Sequence, residues 1–345
     1  MNRLIDNFFP FPLLAGGHLQ TVAGLYLPSR DGFDVTHRHL LDLEEGDQMV
    51  LHEDCPAEWQ PGDPVALLVH GLCGSHASPY VRRLGWKMFR QGVRIFRVDL
   101  RGHGAGFLLA QTGTHCGRHD DLVCPIRAIQ RLAPTSPLTV VSYSLGAALA
   151  LNLAARPQAQ ELTNWKQLVA VCPPIDLMAV ERFLQRRVNR NYDLYFTKRL
   201  WRMMVTRSRH VAGAPQVSHI PRPRRLREFD ERVTAPFSGF ASADDYYRKT
   251  SVRPRLSQIT MPTLIIAAAN DPIVPIYPLL EAEIGPQTEV VVTSSGGHMG
   301  YVGRRRGDPD RRWIDWRILE WLSSTNPNPH DAQYADAAAR ELTNS

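Results

Sequence analysis

At Val140-Val141-Ser142-Tyr143-Ser144-Leu145-Gly146-Ala147-Ala148 a β-branched run passes directly into an Ala- and Leu-rich helical pattern, with a serine at the junction. A strand joined to a helix by so short a turn strains the backbone of the turn residue and pushes its side chain out above the sheet. The helix start behind it offers unpaired N–H groups and the positive end of a dipole. The flanking backbones crowd together, so the residues two before and two after the serine must be small. Here they are Ser142 and Gly146, a serine standing where G-x-S-x-G has its first glycine. Ser144 is therefore a candidate nucleophile, provided the rest of the chain builds a sheet around it.

The rest of the chain has that pattern. Short apolar runs alternate with helical stretches, as in a mostly parallel sheet flanked by helices. Val65–Val69, Val93–Val98, Leu138–Val141, Gln167–Val171, Thr263–Ala268 and Glu289–Thr293 read as strands. Ser78–Gln91, Asp120–Leu132, Leu145–Ala155 and Asp310–Leu322 read as helices. The alternation stops at Cys172, because Pro173 and Pro174 lack the N–H a central strand needs. The expected organisation is an α/β core in two parts, 1–176 and 258–325, interrupted by an inserted helical cap at 177–257. The polar, Ala-rich residues 326–345 form a tail.

A serine nucleophile needs a weak base and a carboxylate to orient that base. Downstream of Ser144 lie His210, His219, His298 and His330. Only His298 follows a core strand, in the loop Ser294-Ser295-Gly296-Gly297-His298-Met299-Gly300, where a mobile, partly exposed imidazole can reach the serine. Asp271 follows the strand Thr263–Ala268 in Asn270-Asp271-Pro272-Ile273-Val274-Pro275, a loop stiffened by two prolines, and is the favoured acid. Asp176, one strand earlier, is its rival. The oxyanion of an acyl-transfer intermediate needs two N–H donors. Leu145, just after the nucleophile, is one candidate, and Leu72, in His70-Gly71-Leu72-Cys73-Gly74-Ser75, is the other. His70 is expected to tie that loop down, and Cys73 has no activating base. Asp99-Leu100-Arg101-Gly102-His103-Gly104 reads as a structural loop.

Charge adds a location rather than a class. The net charge is +6. From Glu181 to Arg232 there are fourteen Lys/Arg against five Asp/Glu, a local +9, so the rest of the chain sums to −3. This basic segment, with Phe183, Tyr192, Tyr195, Phe196 and Trp201 among its arginines, suits a lid that gathers an amphipathic acyl substrate, or a plain solvated helical face, better than a nucleic-acid surface. Five scattered cysteines without a C-x-x-C pair indicate reduced thiols and neither disulfides nor zinc. His115, Cys116, His119 and Asp120 match no common zinc spacing, and no cofactor is expected. No apolar window approaches the ~20 residues of a membrane span. A soluble, cytoplasmic protein is expected, with a weak peripheral membrane contact through Phe8, Phe9 and Phe11 left open. Oligomeric state is not readable.

Together these residues resemble the α/β-hydrolase superfamily and, within it, its YheT-like branch. The branch resemblance rests on Gly17-His18-Leu19-Gln20-Thr21, on Val69–Ser75 with Ser78-Pro79-Tyr80, and on Tyr143-Ser144-Leu145-Gly146, and it runs from about Phe9 to Leu322. It implies hydrolysis of carboxylic esters of short- to medium-chain acids, with acylglycerols and phospholipids among the candidate substrates. Transfer of the acyl group to an alcohol, and a non-catalytic binding role, are the alternatives. No physical role for Gly17–Thr21 is legible from the sequence.

Overall fold

In the computed structural model, which describes residues 3–6, 8–27, 32–33 and 36–325, the alternating pattern becomes one nine-stranded sheet. Its strands are β1 (Arg3–Asp6), β2 (His37–Asp42), β3 (Gln48–Asp54), β4 (Val65–Val69), β5 (Arg94–Asp99), β6 (Leu138–Tyr143), β7 (Trp165–Val171), β8 (Thr263–Ala268) and β9 (Thr288–Thr293). They lie in the order β1-β9-β8-β7-β6-β4-β5-β3-β2. All pairings are parallel except β3 with β5 and β2 with β3. The expected tail at 326–345 lies outside the described residues.

The central strands are apolar without alternation because both sheet faces are covered. Successive side chains point to opposite faces. Thus Val65, Leu67 and Val69 of β4 join one core, while Ala66 and Leu68 join the other. Helices α1 (Gly17–Tyr26), α2 (Pro79–Phe89), α3 (Val123–Leu132) and α4 (Leu145–Ala154) accompany the first six strands. Every residue of α4 is buried, which its Ala- and Leu-rich sequence permits. The stretch expected as one helix from Asp120 begins as a 3-10 turn, His119–Leu122, before α3.

Three strands were not expected. β1 is a short edge segment paired to β9. β2 and β3 form an antiparallel hairpin whose inner strand ends in His52-Glu53-Asp54, all buried. Charges at those positions hide a strand from any apolar pattern. They are tolerated because the neighbouring strand supplies partners: Arg94 bonds Glu53, Arg97 lies 2.7 Å from Asp54, and His52 Nε2 lies 2.9 Å from Asp99. Buried charges persist when paired in this way.

Between β7 and β8 the chain leaves the sheet and forms helices, including Leu177–Leu184, Arg190–His210 and Ala243–Thr250. This insertion has a small core of its own, with Met204, Val217, Phe229 and Val233. Two of its arginines pin it to core loops. Arg199 donates to the Cys73 carbonyl at 2.9 Å, and the buried Arg207 donates to the Gly102 carbonyl at 2.7 Å. Desolvation lowers the Arg207 pKa to about 10.

The N-terminal aromatics, left open as a weak membrane contact, are engaged within the fold to different degrees. Phe8 is buried against Tyr301 and Trp313. Phe9 and Phe11 are covered by the guanidinium groups of Arg306 and Arg311.

Candidate active site

Because β4, β6, β7, β8 and β9 are parallel, their C-terminal ends share one sheet edge, where ligands of open α/β sheets bind. Ser144 sits there, at the β6–α4 turn, with φ 51° and ψ −121°. A non-glycine residue in that region carries about 1–3 kcal/mol of strain and persists only where its surroundings over-determine it. Here the Ser144 amide bonds the Val171 carbonyl at 2.8 Å, and the Ser144 carbonyl accepts from Ala148 at 3.1 Å. A Cβ on Gly146 would sit 2.4 Å from the His70 carbonyl oxygen, which is why that position must be glycine. Ser142 donates its hydroxyl to the Val169 carbonyl at 2.8 Å, so the departure from glycine leaves no unsatisfied polar group.

The structure brings Ser144, His298 and Asp271 together. Ser144 Oγ lies 2.9 Å from His298 Nε2, and His298 Nδ1 lies 2.7 Å from Asp271 Oδ2. This network assigns the proton of the neutral ring to Nδ1, leaving Nε2 to accept from the serine hydroxyl. The other carboxylate oxygen of Asp271 accepts from the amides of Ile273 at 2.7 Å and Val274 at 3.0 Å. The Pro272–Pro275 loop thereby fixes the carboxylate. Asp176 is engaged elsewhere: it caps the Leu177–Leu184 helix through Ala179 N–H at 3.0 Å and faces Arg253. His298 is buried, not partly exposed as expected.

Leu72 and Leu145 line the same cavity as Ser144. The first turn of α4 leaves the Leu145 amide without an intrahelical acceptor. The loop carrying Leu72 is tied down as the sequence suggested. His70 Nδ1 lies 2.7 Å from the Gly71 carbonyl, and His70 Nε2 accepts from the Leu100 amide at 3.1 Å. The Gly71 amide bonds the Tyr80 hydroxyl at 3.0 Å. Burial lowers the His70 pKa and pushes the Cys73 thiol up to about 12, so neither is set up for proton transfer at this site. Asp99 anchors the neighbouring loops through His52, His76 and the Ala105 amide. Burial opposes its charge, but the hydrogen bonds from His52 and His76 outweigh it and hold the carboxyl below the usual range.

The sequence reading missed the role of Gly17–Thr21. These residues open α1, which lies across the loops that carry Asp271 and His298. Thr21 Oγ1 accepts from the His298 amide at 2.9 Å and donates to the Gly17 carbonyl at 2.8 Å. The buried Gln20 side chain donates to the carbonyls of Leu14 and Val302 and accepts from the Val302 amide, at 2.7–2.9 Å. Asn270 Oδ1 accepts from the Gly297 amide at 3.0 Å. A Cβ on Gly17 would lie 1.9 Å from the Asn270 carbonyl oxygen, and one on Gly24 2.7 Å from Gly300 Cα. The stretch is thus a clamp on the His298 loop, built of small and polar residues because the backbones nearly touch. Cys172, just past the end of β7 and read from the sequence only as a strand stop, also sits at the site: its sulfur lies within 4.8 Å of an Asp271 carboxylate oxygen and a His298 ring nitrogen.

Above Ser144 is a cavity of about 120 Å³. Leu72, Leu145, Ile273 and Val274 line it from the sheet side, and Leu177, Val180, Leu184, Phe196, Leu200 and Phe229 from the insertion. Its polar lining includes Glu181, Asp230 and Tyr247. Burial raises the Asp230 pKa to about 6, against hydrogen bonds from Thr234 and Tyr247.

A mostly parallel sheet with a serine on the strand-to-helix turn at its C-terminal edge defines an α/β hydrolase. The family model described as serine aminopeptidase S33 matches residues 60–284. The putative esterase YheT of Escherichia coli (strain K12) is 30% identical over 325 residues, covering 92% of this chain and 93% of that protein. The human phospholipase ABHD3 is 26% identical over 265 residues, 76% of this chain and 63% of that protein. The esterase Pf2001 of Pyrococcus furiosus superposes with a TM-score of 0.54 at 16% identity, over 86% of this chain and 98% of that one, a likeness of fold. The chain belongs to the serine aminopeptidase S33 family of α/β hydrolases, as a YheT-like member, and is an ester hydrolase. Among the described residues no helix is long and apolar enough to cross a membrane.

Proposed function

We propose that the chain cleaves carboxylic esters through a Ser144–His298–Asp271 triad and an acyl-enzyme. The observation that carries this reading is the unbroken Ser144–His298–Asp271 hydrogen-bond chain, 2.9 and 2.7 Å, facing an apolar cavity. Ser144 Oγ attacks the acyl carbon as His298 Nε2 takes its proton, and Asp271 orients the ring and stabilises its cation. The Leu72 and Leu145 amides receive the oxyanion. The tetrahedral intermediate collapses as His298 protonates the leaving alcohol, and water then repeats the sequence on the acyl-enzyme.

The insertion at 177–257 acts as a cap that holds the acyl chain. Its apolar wall suits short- to medium-chain acyl groups, and the likeness to a phospholipase supports lipid esters as substrates. The test is hydrolysis of p-nitrophenyl esters of increasing acyl length by the parent and by Ser144→Ala. The variant is expected to lose about 10³-fold or more in kcat, and the chain-length optimum reports the cavity. Equal activity in both proteins would refute Ser144 as nucleophile. Added alcohol, with product analysis, separates hydrolysis from acyl transfer.

A further inference from the structure

Helix α1 is amphipathic in the reverse sense. Its inward face is Gln20, Thr21, Ala23 and Gly24, all buried. Its outward face is Leu19, Val22, Leu25 and Tyr26, which are 54%, 49%, 39% and 77% exposed, and Leu13 just before it is 78% exposed. A surface helix ordinarily turns its apolar stripe to the core. Here the clamp on the His298 loop takes the small and polar residues inward and leaves the apolar ones outside. Residues 8–27 contain no charged side chain. A contiguous exposed apolar patch of this kind marks a contact surface.

Cations border it on one side, and the Arg190–His210 helix on the other. On one side Arg306 lies 3.3 Å above the Phe9 ring and Arg311 4.3 Å above the Phe11 ring. Arg304 and Arg305 are exposed in the same segment, with the Arg304 amide bonded to the Phe9 carbonyl. Asp308 and Asp310, just beyond, are taken by Arg317 and Lys87. On the other side His18 stacks on Tyr192, rings 5.7 Å apart and 8° from parallel. Arg199, two turns beyond Tyr192 on the Arg190–His210 helix, is held by the Cys73 carbonyl at 2.9 Å and is not part of the rim. The acid within that helix, Asp193, is buried and accepts the Leu226 amide.

We propose that the outward face of α1 docks on a lipid bilayer bearing anionic headgroups, with Leu19, Val22 and Tyr26 entering the interface and the bordering arginines meeting the headgroups. An apolar centre with a basic rim is the surface such a bilayer binds. The inward face of the same helix holds the His298 loop, so docking sets the site about one helix diameter, ~10 Å, from the bilayer. The inference rests on this surface and not on the ester chemistry, and its test needs no turnover.

The test is flotation of the full chain with vesicles of phosphatidylcholine, with and without roughly one-third phosphatidylglycerol. Circular dichroism and thermal melting check the fold of each variant. The parent is expected to float with the anionic vesicles and to release as salt rises. Leu19→Ser/Val22→Ser/Tyr26→Ser is expected to lose about tenfold or more of the bound fraction on both vesicle types. Arg304→Gln/Arg305→Gln is expected to lose binding only to the anionic vesicles. A parent that does not float, or a triple variant that floats like the parent, overturns the proposal. So does a parent dimer that the triple substitution dissociates while neither protein floats, since a second copy then covers the face.

Discussion

Removing the Thr21 hydroxyl should slow turnover without changing substrate affinity. In Thr21→Ala the His298 amide loses its acceptor, 2.9 Å away and buried. A buried N–H left unpaired costs about 1–3 kcal/mol. The His298 loop can relieve that cost by shifting, which moves Nε2 from its 2.9 Å position against Ser144. If the whole penalty acts on the population of the aligned loop, the competent fraction falls by roughly 5- to 150-fold, since 1.4 kcal/mol is a factor of ten. A displacement near 1 Å at a reacting group costs a comparable ~10²-fold. The assay is steady-state hydrolysis of a soluble p-nitrophenyl ester. The expected result is a kcat lower by that range with KM within about twofold. Thr21→Val, isosteric but without the hydroxyl, should behave as Thr21→Ala, and Thr21→Ser should recover most of the loss. A folded Thr21→Ala with parental kcat, or a change confined to KM, would show that the clamp does not position His298.

Gly146→Ala brings a Cβ to 2.4 Å from a backbone oxygen, so α4 or the His70 loop must shift. About 1–3 kcal/mol of stability should be lost, with most of the activity, as read by urea denaturation and ester turnover. Asp315→Ala strands the buried Arg83, which Asp315 grips at 2.6 and 3.1 Å, and should cost about 3–5 kcal/mol. A loss under 1 kcal/mol would mean that water reaches Arg83. Burial raises the Asp230 pKa to about 6, above the ~3.9 of the unfolded chain, so the folded state binds its proton more tightly. That contribution is full below pH ~4 and is lost as pH rises through about 6. Relative to Asp230→Asn, the parent should lose up to about 3 kcal/mol between pH 4 and 6.5, and parallel stability curves would refute the burial argument.

The sheet core was legible because its signal is local. Val65–Val69 and Thr263–Ala268 are continuous apolar runs with the boundaries the sequence suggests, and any strand covered on both faces must read so. The strand–Ser144–helix junction is equally local, and Gly146 shows why it tolerates so few residues. Chain order offered Asp271 and His298 as partners for Ser144. Other features depend on residues far apart in the chain. The β2–β3 hairpin is invisible because its inner strand carries Glu53 and Asp54, whose burial makes sense only beside Arg94 and Arg97 of β5. Asp176 and Asp271 both follow strands, and what separates them is that one caps a helix while the other faces an imidazole. Gly17–Thr21 has no local explanation at all. Thr21 meets His298 across 277 positions, and an apolar pattern cannot encode a helix whose inward face is polar because two backbones must touch there.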